Sequence, residues 1–209
     1  MAVLTVATSI AQSSEGHIAY DVNVSSDDPN MAMAVSMMQD SRLEVSFKGK
    51  QSYTIFSMGA IMTMKTISSN SGDVLMLMDG MMGSKVIKTT NEELEQTEEG
   101  EEDDLEITLE DETKMVAGYE CKKAVVTDED GNETVFWYTD EIVSSTKNRG
   151  NLNGKIPGIS LAFETDQGGM KMSFTANKVE TTVDDSIFDM TIPDGYTEMS
   201  FEDFSKMGM

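Results

Sequence analysis

The fold of this chain is decided by residues 115–142, MVAGYECKKAVVTDEDGNETVFWYTDEI, and by residues 154–163, GKIPGISLAF, which follow a polar bridge. Two apolar runs, 121–127 and 133–139, flank the dipeptide Asp130-Gly131. An Asp-Gly dipeptide between two runs of this length is typical of a β-hairpin. The stretch therefore predicts a hairpin at the centre of an antiparallel sheet.

A third strand is predicted after Pro157, because proline has no N–H to donate to a neighbouring strand and belongs at a strand entry. Ile159, Leu161 and Phe163 then alternate with small or polar residues. The same period of two recurs on both sides of this segment, and it predicts about ten strands in all. The further runs are 16–25, 42–48, 51–58, 61–68, 73–79, 84–90, 105–109 and 170–183.

Two short helices are predicted beside these strands. Asp28 is a suitable N-cap and Pro29 a suitable first residue for a helix that follows the first strand. Ser200, with Asp203 three residues later, resembles a capping box and predicts a last helix near the C-terminus. The apolar residues of the two helices are Met31, Val35 and Met38 in the first, and Phe201, Phe204 and Met207 in the second.

The order of these elements predicts a mainly β fold with few helices. Strands and helices do not alternate as they do in βαβ proteins, so we expect a large curled antiparallel sheet with helices against its concave face. Residues 73–79, DVLMLMD, are apolar on both faces and are expected to be covered on both sides. The gap beneath the helices is the natural position for a ligand.

Residues 91–104, NEELEQTEEGEEDD, interrupt the sheet pattern with a run of acidic side chains. Charge repulsion and the lack of apolar residues predict a mobile acidic connector, or at most a frayed helix. Calcium binding is the functional alternative, but the D-x-D-x-D-G spacing of a calcium loop is not present in this run.

The charge balance of the chain excludes some partners. The sequence has 38 Asp and Glu against 15 Lys and Arg, which gives a net charge of −23. A chain this acidic repels the phosphates of nucleic acids and anionic lipid headgroups. We therefore expect no nucleic-acid partner, and no stretch is apolar and long enough to predict an integral membrane span.

Catalytic and metal-binding patterns are sparse. Cys121 is the only cysteine and His17 the only histidine, and we interpret them as a packed apolar residue and an exposed polar residue. The sequence has no phosphate loop, no Ser/His/Asp order and no metal-ligand cluster. We therefore expect a protein that is not an enzyme and that has no cofactor.

Residues 1–12, MAVLTVATSIAQ, are an apolar run that ends in small residues. Ser9 and Ala11 occupy the −3 and −1 positions of a plausible cleavage site before Gln12, so the run is typical of the remnant of a secretory signal. A buried first strand or helix is the alternative. The signal interpretation predicts an exported, periplasmic protein that forms one domain over residues 13–209.

Four segments resemble a known group of proteins: GYECKKA (118–124), ETVFWYTDEI (133–142), GKIPGISL (154–161) and FDMTIPDGY (188–196). They are similar to an uncharacterised exported bacterial family, described as a domain of unknown function and related to the family named after its Gly-Leu-Pro-Gly-Leu-Ile motif. Both families look like members of the superfamily of periplasmic lipoprotein carriers, LolA and LolB.

Gly154, Pro157, Gly158 and Ile159 match the naming motif, whereas Lys155 stands in place of its first apolar residue. The resemblance implies an unclosed half-barrel with a helical plug and an apolar cavity. It implies no catalytic residue, because the family has none that can be transferred to this chain.

Methionine is unusually abundant, with 19 residues, several of them in Met-x-Met pairs. On a strand the two members of such a pair face the same way, so three of the pairs are expected to line one concave surface. The candidate ligand-binding residues are Met62, Met64, Met76, Met78, Trp137, Met170, Met172 and Phe174.

These residues suggest a protein that binds the acyl chain of a lipid or lipoprotein in a methionine-rich cavity, because methionine adapts to apolar ligands of varied shape. One alternative is a scaffold or interaction module in which the methionines only fill the core. A second alternative is periplasmic Cu(I) binding, since thioethers are preferred ligands of that ion.

Overall fold

The computed structural model describes residues 13–81, 83–98, 105–144, 154–167 and 169–206. The interpretation of residues 1–12 as a signal remnant lies outside the described residues, and so does the acidic run at 99–104. The described residues form one 12-stranded sheet and a few short helices. The fold is therefore mainly β, as the sequence predicts.

The strands follow one another along the chain with few interruptions. They are β1 (Glu15–Ser25), β2 (Arg42–Lys48), β3 (Gln51–Met58), β4 (Met62–Ser68), β5 (Asp73–Gly80), β6 (Gly83–Thr90), β7 (Glu106–Val116), β8 (Tyr119–Thr127), β9 (Glu133–Thr139), β10 (Ile159–Gln167), β11 (Met170–Glu180) and β12 (Thr197–Glu198).

In space the strand order is β12-β6-β5-β4-β3-β2-β1-β11-β10-β9-β8-β7. Neighbours are antiparallel, except that β12 runs parallel to β6. The long pairing of β1 with β11 joins the N-terminal half of the sheet to the hairpin segment. Since β7 and β12 are the two edges, the sheet is not closed.

The helices are α1 (Ala32–Met37), α2 (Asn91–Glu98) and α3 (Phe201–Ser205), with 3-10 turns at Pro29–Met31 and Asp185–Phe188. The Asp28 carboxylate accepts a hydrogen bond from the Asn30 N–H at 2.9 Å, which caps the first turn as predicted. None of the helices among the described residues has the length and the apolar character needed to cross a bilayer.

The last helix begins at the predicted cap. The Ser200 hydroxyl accepts from the Asp203 N–H at 3.1 Å and donates to the Asp203 carboxylate at 2.7 Å. Phe204 then lies buried beneath α3. Together the cap and the buried ring fix where this short helix starts and how it faces the sheet.

The first part of the acidic run, residues 91–98, forms helix α2. Thr90 accepts a hydrogen bond from the Glu93 N–H at 3.2 Å, and the Glu93 carboxylate accepts from the Thr90 N–H at 3.1 Å. This reciprocal pair is a capping box, and it starts α2 directly after β6. Leu94 packs against the sheet and anchors the helix.

The sheet has two chemically different faces. Residues that lie directly opposite one another on neighbouring strands share a face, and one continuous row crosses the sheet through Tyr20, Leu43, Phe56, Met64 and Met78. We call the face that holds this row the inner face, and the other the outer face. Helix α3 packs on the inner face, where Phe204 contacts the cluster around Met76 and Ile87.

Aromatic rings pack together on the inner face of β9, β10, β11 and β1. Phe163 stacks on Phe174 with 4.6 Å between ring centroids and on Phe136 with 5.6 Å. Tyr20 meets the edge of Phe163 at 6.0 Å, and its hydroxyl donates to the Ser160 carbonyl at 2.8 Å. These rings come from four different strands, so they hold the two halves of the curled sheet together.

The C-terminal segment wraps around the β6 side of the sheet. Met190 and Tyr196 pack on the outer face, Thr197–Glu198 pairs with β6, and α3 returns to the inner face. Strand β5 lies beneath both layers, and Val74 to Met78 are all buried. The prediction that residues 73–79 are covered on both sides is therefore confirmed for this stretch.

The hairpin forms as predicted, with β8 and β9 joined by a loop over residues 128–132. The Asp128 carboxylate accepts from the Asn132 N–H at 2.8 Å and closes the loop. Gly158 leads into β10 with a positive φ of 117°, and a Cβ there would collide with the Thr139 carbonyl. Only glycine fits this close approach, which places Pro157 at the strand entry.

Strand β7 is longer than predicted. The alternation at 105–109 ends at an acidic stretch, but the strand continues to Val116 through an irregular register between Glu110 and Thr113. A bulge of this kind interrupts the period of two, which is why the sequence pattern ended early.

Candidate ligand-binding face

The inner face carries no charged side chain from β11 through β1 and across to β5, all of which the structure describes in full. Its residues there are apolar, small or hydroxyl-bearing, and the register of neighbouring strands assigns them to one side. The outer face of the same strands is charged: it carries Glu15, Asp21, Arg42, Glu44, Lys48, Lys65, Asp73, Asp79, Lys171, Lys178 and Glu180. In a chain with 25% charged residues, this separation marks the inner face as suited to apolar contacts.

The three Met-x-Met pairs on strands all lie on the inner face. Met62 and Met64 belong to β4, Met76 and Met78 to β5, and Met170 and Met172 to β11. Met64 lies directly opposite Met78, and Met172 lies opposite Val24 of β1. The remaining pair, Met31 and Met33, is in the 3-10 turn and α1 rather than on a strand.

Burial divides the predicted site residues into two groups. Met76, Met78 and Phe174 are 5%, 3% and 6% exposed, so they belong to the packed core. Met62, Met64, Met170 and Met172 are each partly exposed. Only this second group presents side-chain surface that a ligand could contact.

Trp137 does not join the other predicted residues. It alternates along β9 with Phe136, whose ring belongs to the inner aromatic stack, so Trp137 lies on the outer face. There the Lys114 ammonium group lies 4.4 Å from the centroid of the indole ring. A cation over an indole face is a stabilising contact, and it gives Trp137 a local partner away from the inner face.

Seven partly exposed apolar residues of the inner face lie on five neighbouring strands, and we call them the open strip. Leu43, Phe56 and Met64 lie directly opposite one another, as do Met58 and Met62, and such side chains have Cβ atoms about 4.5–5.5 Å apart. Val22 is a diagonal neighbour of both Met172 and Leu43, at about 7–8 Å. The open strip consists of Met172 on β11, Val22 on β1, Leu43 on β2, Phe56 and Met58 on β3, and Met62 and Met64 on β4.

Four of these residues were not among the sequence candidates: Val22, Leu43, Phe56 and Met58. All four are apolar residues of predicted strands. Alternation places Val22 and Leu43 on the apolar face of their strands, whereas residues 51–58 carry apolar side chains on both faces, so the sequence alone does not assign a face to Phe56 and Met58. The signal that locates the strip is the order in which β11, β1, β2, β3 and β4 lie side by side.

A separate groove of about 690 Å³ lies where α2 and α3 approach each other. Lys88, Glu93, Gln96, Glu198, Met199, Ser200, Phe201, Glu202 and Ser205 line it. None of the eight residues predicted for the ligand site contributes to this lining. The groove is mixed in polarity, with the Lys88–Glu198 ion pair at its wall.

The single cysteine is buried, and the single histidine is partly exposed and lies beside a serine. Cys121 is 0% exposed, and burial raises the pKa of its thiol to about 11, which keeps the sulfur protonated and unreactive at neutral pH. His17 Nδ1 lies 2.8 Å from the Ser46 hydroxyl on the neighbouring strand. In the described part of the chain, no group of three or more His, Cys, Asp or Glu side chains is placed to hold a metal ion.

No family model matches this chain, and no curated protein matches it. Among solved structures, the chain is similar to PNGF-II in two crystal forms. In the C2 form the identity is 15%, the match covers 92% of this chain and 32% of PNGF-II, and the TM-score is 0.47. In the P21 form the identity is 17%, the coverage is 93% and 33%, and the TM-score is 0.48. The chain spans about one third of the length of the PNGF-II structures that it matches.

Proposed function

We propose that this chain is a non-catalytic, exported protein that binds a hydrophobic ligand, the acyl chain of a lipid or lipoprotein, on the open strip. One observation carries the proposal. The inner face from β11 to β5 has no charged side chain, and its middle is lined by partly exposed methionine, leucine, valine and phenylalanine. A charge-free, accessible apolar surface on an otherwise strongly acidic protein favours an apolar ligand.

The energetics fit a ligand of moderate affinity. Each buried methylene contributes about 0.8 kcal/mol, so about ten methylenes of an acyl chain give a gross gain of about 8 kcal/mol. Ordering the ligand and the strip costs part of this gain. Methionine side chains are flexible, so they can pack against acyl chains in different conformations.

The sequence resemblance to the exported relatives of LolA and LolB adds to the proposal, since it implies an unclosed half-barrel with an apolar cavity. The apolar run at residues 1–12 adds to the proposal of export into the periplasm.

Native mass spectrometry and solvent extraction of the protein purified from cells test this function. We expect co-purified lipid, and we expect Met172→Lys to lose it because an ammonium group then stands in the open strip. Thr175→Lys is the matched control, since Thr175 is exposed on the outer face of the same strand. Equal lipid retention in both variants, with both folded, would count against the site.

The scaffold alternative is favoured by a different observation, the burial of Met76, Met78 and the aromatic stack in the core. It predicts that purified protein carries no lipid and that M172K and T175K differ only in stability. The Cu(I) alternative predicts tight binding of the ion in competition with a chelator, and an affinity weaker than micromolar would exclude it.

A further inference from the structure

Three hydroxyl-bearing residues adjoin the open strip on the inner face, and we call them the hydroxyl patch: Ser52 and Thr54 on β3 and Thr66 on β4. Thr54 lies directly opposite Thr66, and all three side chains are partly exposed. Thr54 precedes Phe56 by two residues, about 7 Å along the strand. The inner face thus changes along β3 from hydroxyl groups to apolar side chains.

The patch has unused hydrogen-bonding capacity. The side-chain hydroxyls of Ser52, Thr54 and Thr66 bond to no other group among the described residues. Ser57 and Thr63 on the outer face, by contrast, bond to each other at 3.1 Å. Each free hydroxyl can donate one hydrogen bond and accept others. These groups are therefore available to a ligand that lies along the strip.

The distribution of charged side chains around the hydroxyl patch indicates which kind of ligand headgroup can bind to it. A charged headgroup on the inner face would lose water without gaining a counter-ion, because strands β11 to β5 present no charged side chain on this face. The net charge of −23 further disfavours an anionic head. An uncharged head with hydroxyl or ester oxygens avoids both the desolvation of a charge and the repulsion by the acidic protein.

We propose that the ligand of the open strip is an uncharged amphiphile, an acyl chain that carries a hydroxylated or ester head, as in an acylglycerol. The head lies on the hydroxyl patch and the chain lies across Phe56, Met64 and the rest of the strip. This inference rests on the proposed function and deepens it by naming the ligand class. Lys50 is exposed in the turn between β2 and β3 and is the cation nearest to Ser52 along the chain, so it is the residue tested for the rival outcome, a carboxylate head.

The test compares three ligands with the same sixteen-carbon chain: monopalmitoylglycerol, methyl palmitate and palmitate. Their dissociation constants are measured by native mass spectrometry below the concentrations at which they aggregate. We expect monopalmitoylglycerol to bind at least about tenfold more tightly than palmitate. This comparison uses the wild-type chain and needs no variant to fold.

The double variant Thr54→Val with Thr66→Val then assigns the preference to the hydroxyl patch. Valine keeps the shape of threonine and suits a strand, so the sheet is expected to form normally. Loss of two hydrogen bonds is expected to weaken monopalmitoylglycerol about tenfold, and to weaken methyl palmitate less because its ester head has no hydroxyl groups to donate. Thr175→Val, on the outer face, is the matched control and is expected to change neither.

The outcomes separate the two proposals. If none of the three ligands binds, the proposed function is wrong and this inference fails with it. If all three bind alike and the double variant changes nothing, the acyl-binding function stands but the uncharged-head inference is overturned. If palmitate binds most tightly and Lys50→Gln abolishes that preference, the head is anionic and the inference is likewise overturned.

Discussion

The rings of Phe56 and Phe174 lie 6.2 Å apart between centroids, although β2 and β1 separate the two strands that carry them. Three strand spacings amount to about 14 Å. The two side chains meet because both lean over the inner face of a curled sheet. Their contact marks the border between the packed aromatic core and the open strip.

Replacing Phe174 tests how much of the stability depends on this core. Phe174 is 6% exposed and contacts the rings of both Phe56 and Phe163, so Phe174→Leu is expected to cost about 2 kcal/mol of unfolding free energy. Phe56→Leu removes one ring contact from a partly exposed site and is expected to cost less than half as much. Urea denaturation of both variants checks this, and a larger effect at Phe56 would contradict it.

Tyr196 holds the C-terminal segment on the outer face. Its hydroxyl donates to the Asp79 carboxylate, which also accepts from the Ser84 hydroxyl at 2.6 Å. Because Asp79 is partly exposed, Tyr196→Phe is expected to cost about 1 kcal/mol rather than the larger value of a buried charged bond. Thermal denaturation measures the loss, and an unchanged Tm would show that the bond does not stabilise the segment.

The stabilisation by the Asp79–Tyr196 hydrogen bond is predicted to vary with pH. Hydrogen bonds from Ser84 and Tyr196 lower the pKa of Asp79, so the stabilisation is present above the ordinary aspartate pKa and is lost as the pH falls through the lowered value. Burial, and then the hydrogen bond to Asp79, raise the pKa of Tyr196 to about 12, so its contribution is complete below pH 10 and is lost as the pH rises through 12. The difference between wild type and Y196F should therefore shrink at both extremes.

Glu93 is predicted to be the acidic residue of α2 that matters for stability. Its carboxylate accepts from the Thr90 N–H and from the Thr89 hydroxyl, the latter at 2.7 Å, so Glu93→Ala should cost about 1 kcal/mol. Glu92→Ala changes an exposed neighbour in the same turn and should shift the stability by less than about 0.5 kcal/mol. Chemical denaturation with circular dichroism compares them, and equal effects would argue against the capping box.

The rate at which Cys121 reacts with a thiol reagent measures how well the core is protected from solvent, because Cys121 is the only cysteine. With the thiol fully buried and its pKa raised to about 11, labelling by a thiol reagent at pH 8 should be at least about a hundredfold slower in the native protein than in denaturant. Labelling at the denatured rate without unfolding would show that β8 is exposed.

The sequence predicts the local features that depend on neighbouring residues. Asp28 and Ser200 cap helices, Asp130-Gly131 lies in the central hairpin loop, and Val74 to Met78 are covered on both faces. Each of these follows from a rule about turns, caps or periodicity that acts within a few residues. Features of this kind can therefore be predicted from the sequence alone.

The remaining features depend on contacts between distant parts of the chain. Both faces of β9 are apolar, so only its register with β10 decides that Phe136 points inward and Trp137 outward. The capping box of α2 was hidden because Glu93 is one acidic residue among many. The open strip follows from the pairing of β1 with β11, which brings Val22 beside Phe174 across about 150 residues of chain.

The most direct test of ligand binding to the open strip uses the methionines as probes. The protein is labelled with ¹³C at the methionine methyl groups, and its NMR spectrum is followed during titration with monopalmitoylglycerol. We predict that Met62, Met64 and Met172 shift, while Met115, which is 65% exposed on β7, does not. Shifts confined to Met115 and other methionines outside the strip, or no shift at saturating ligand, would contradict the account.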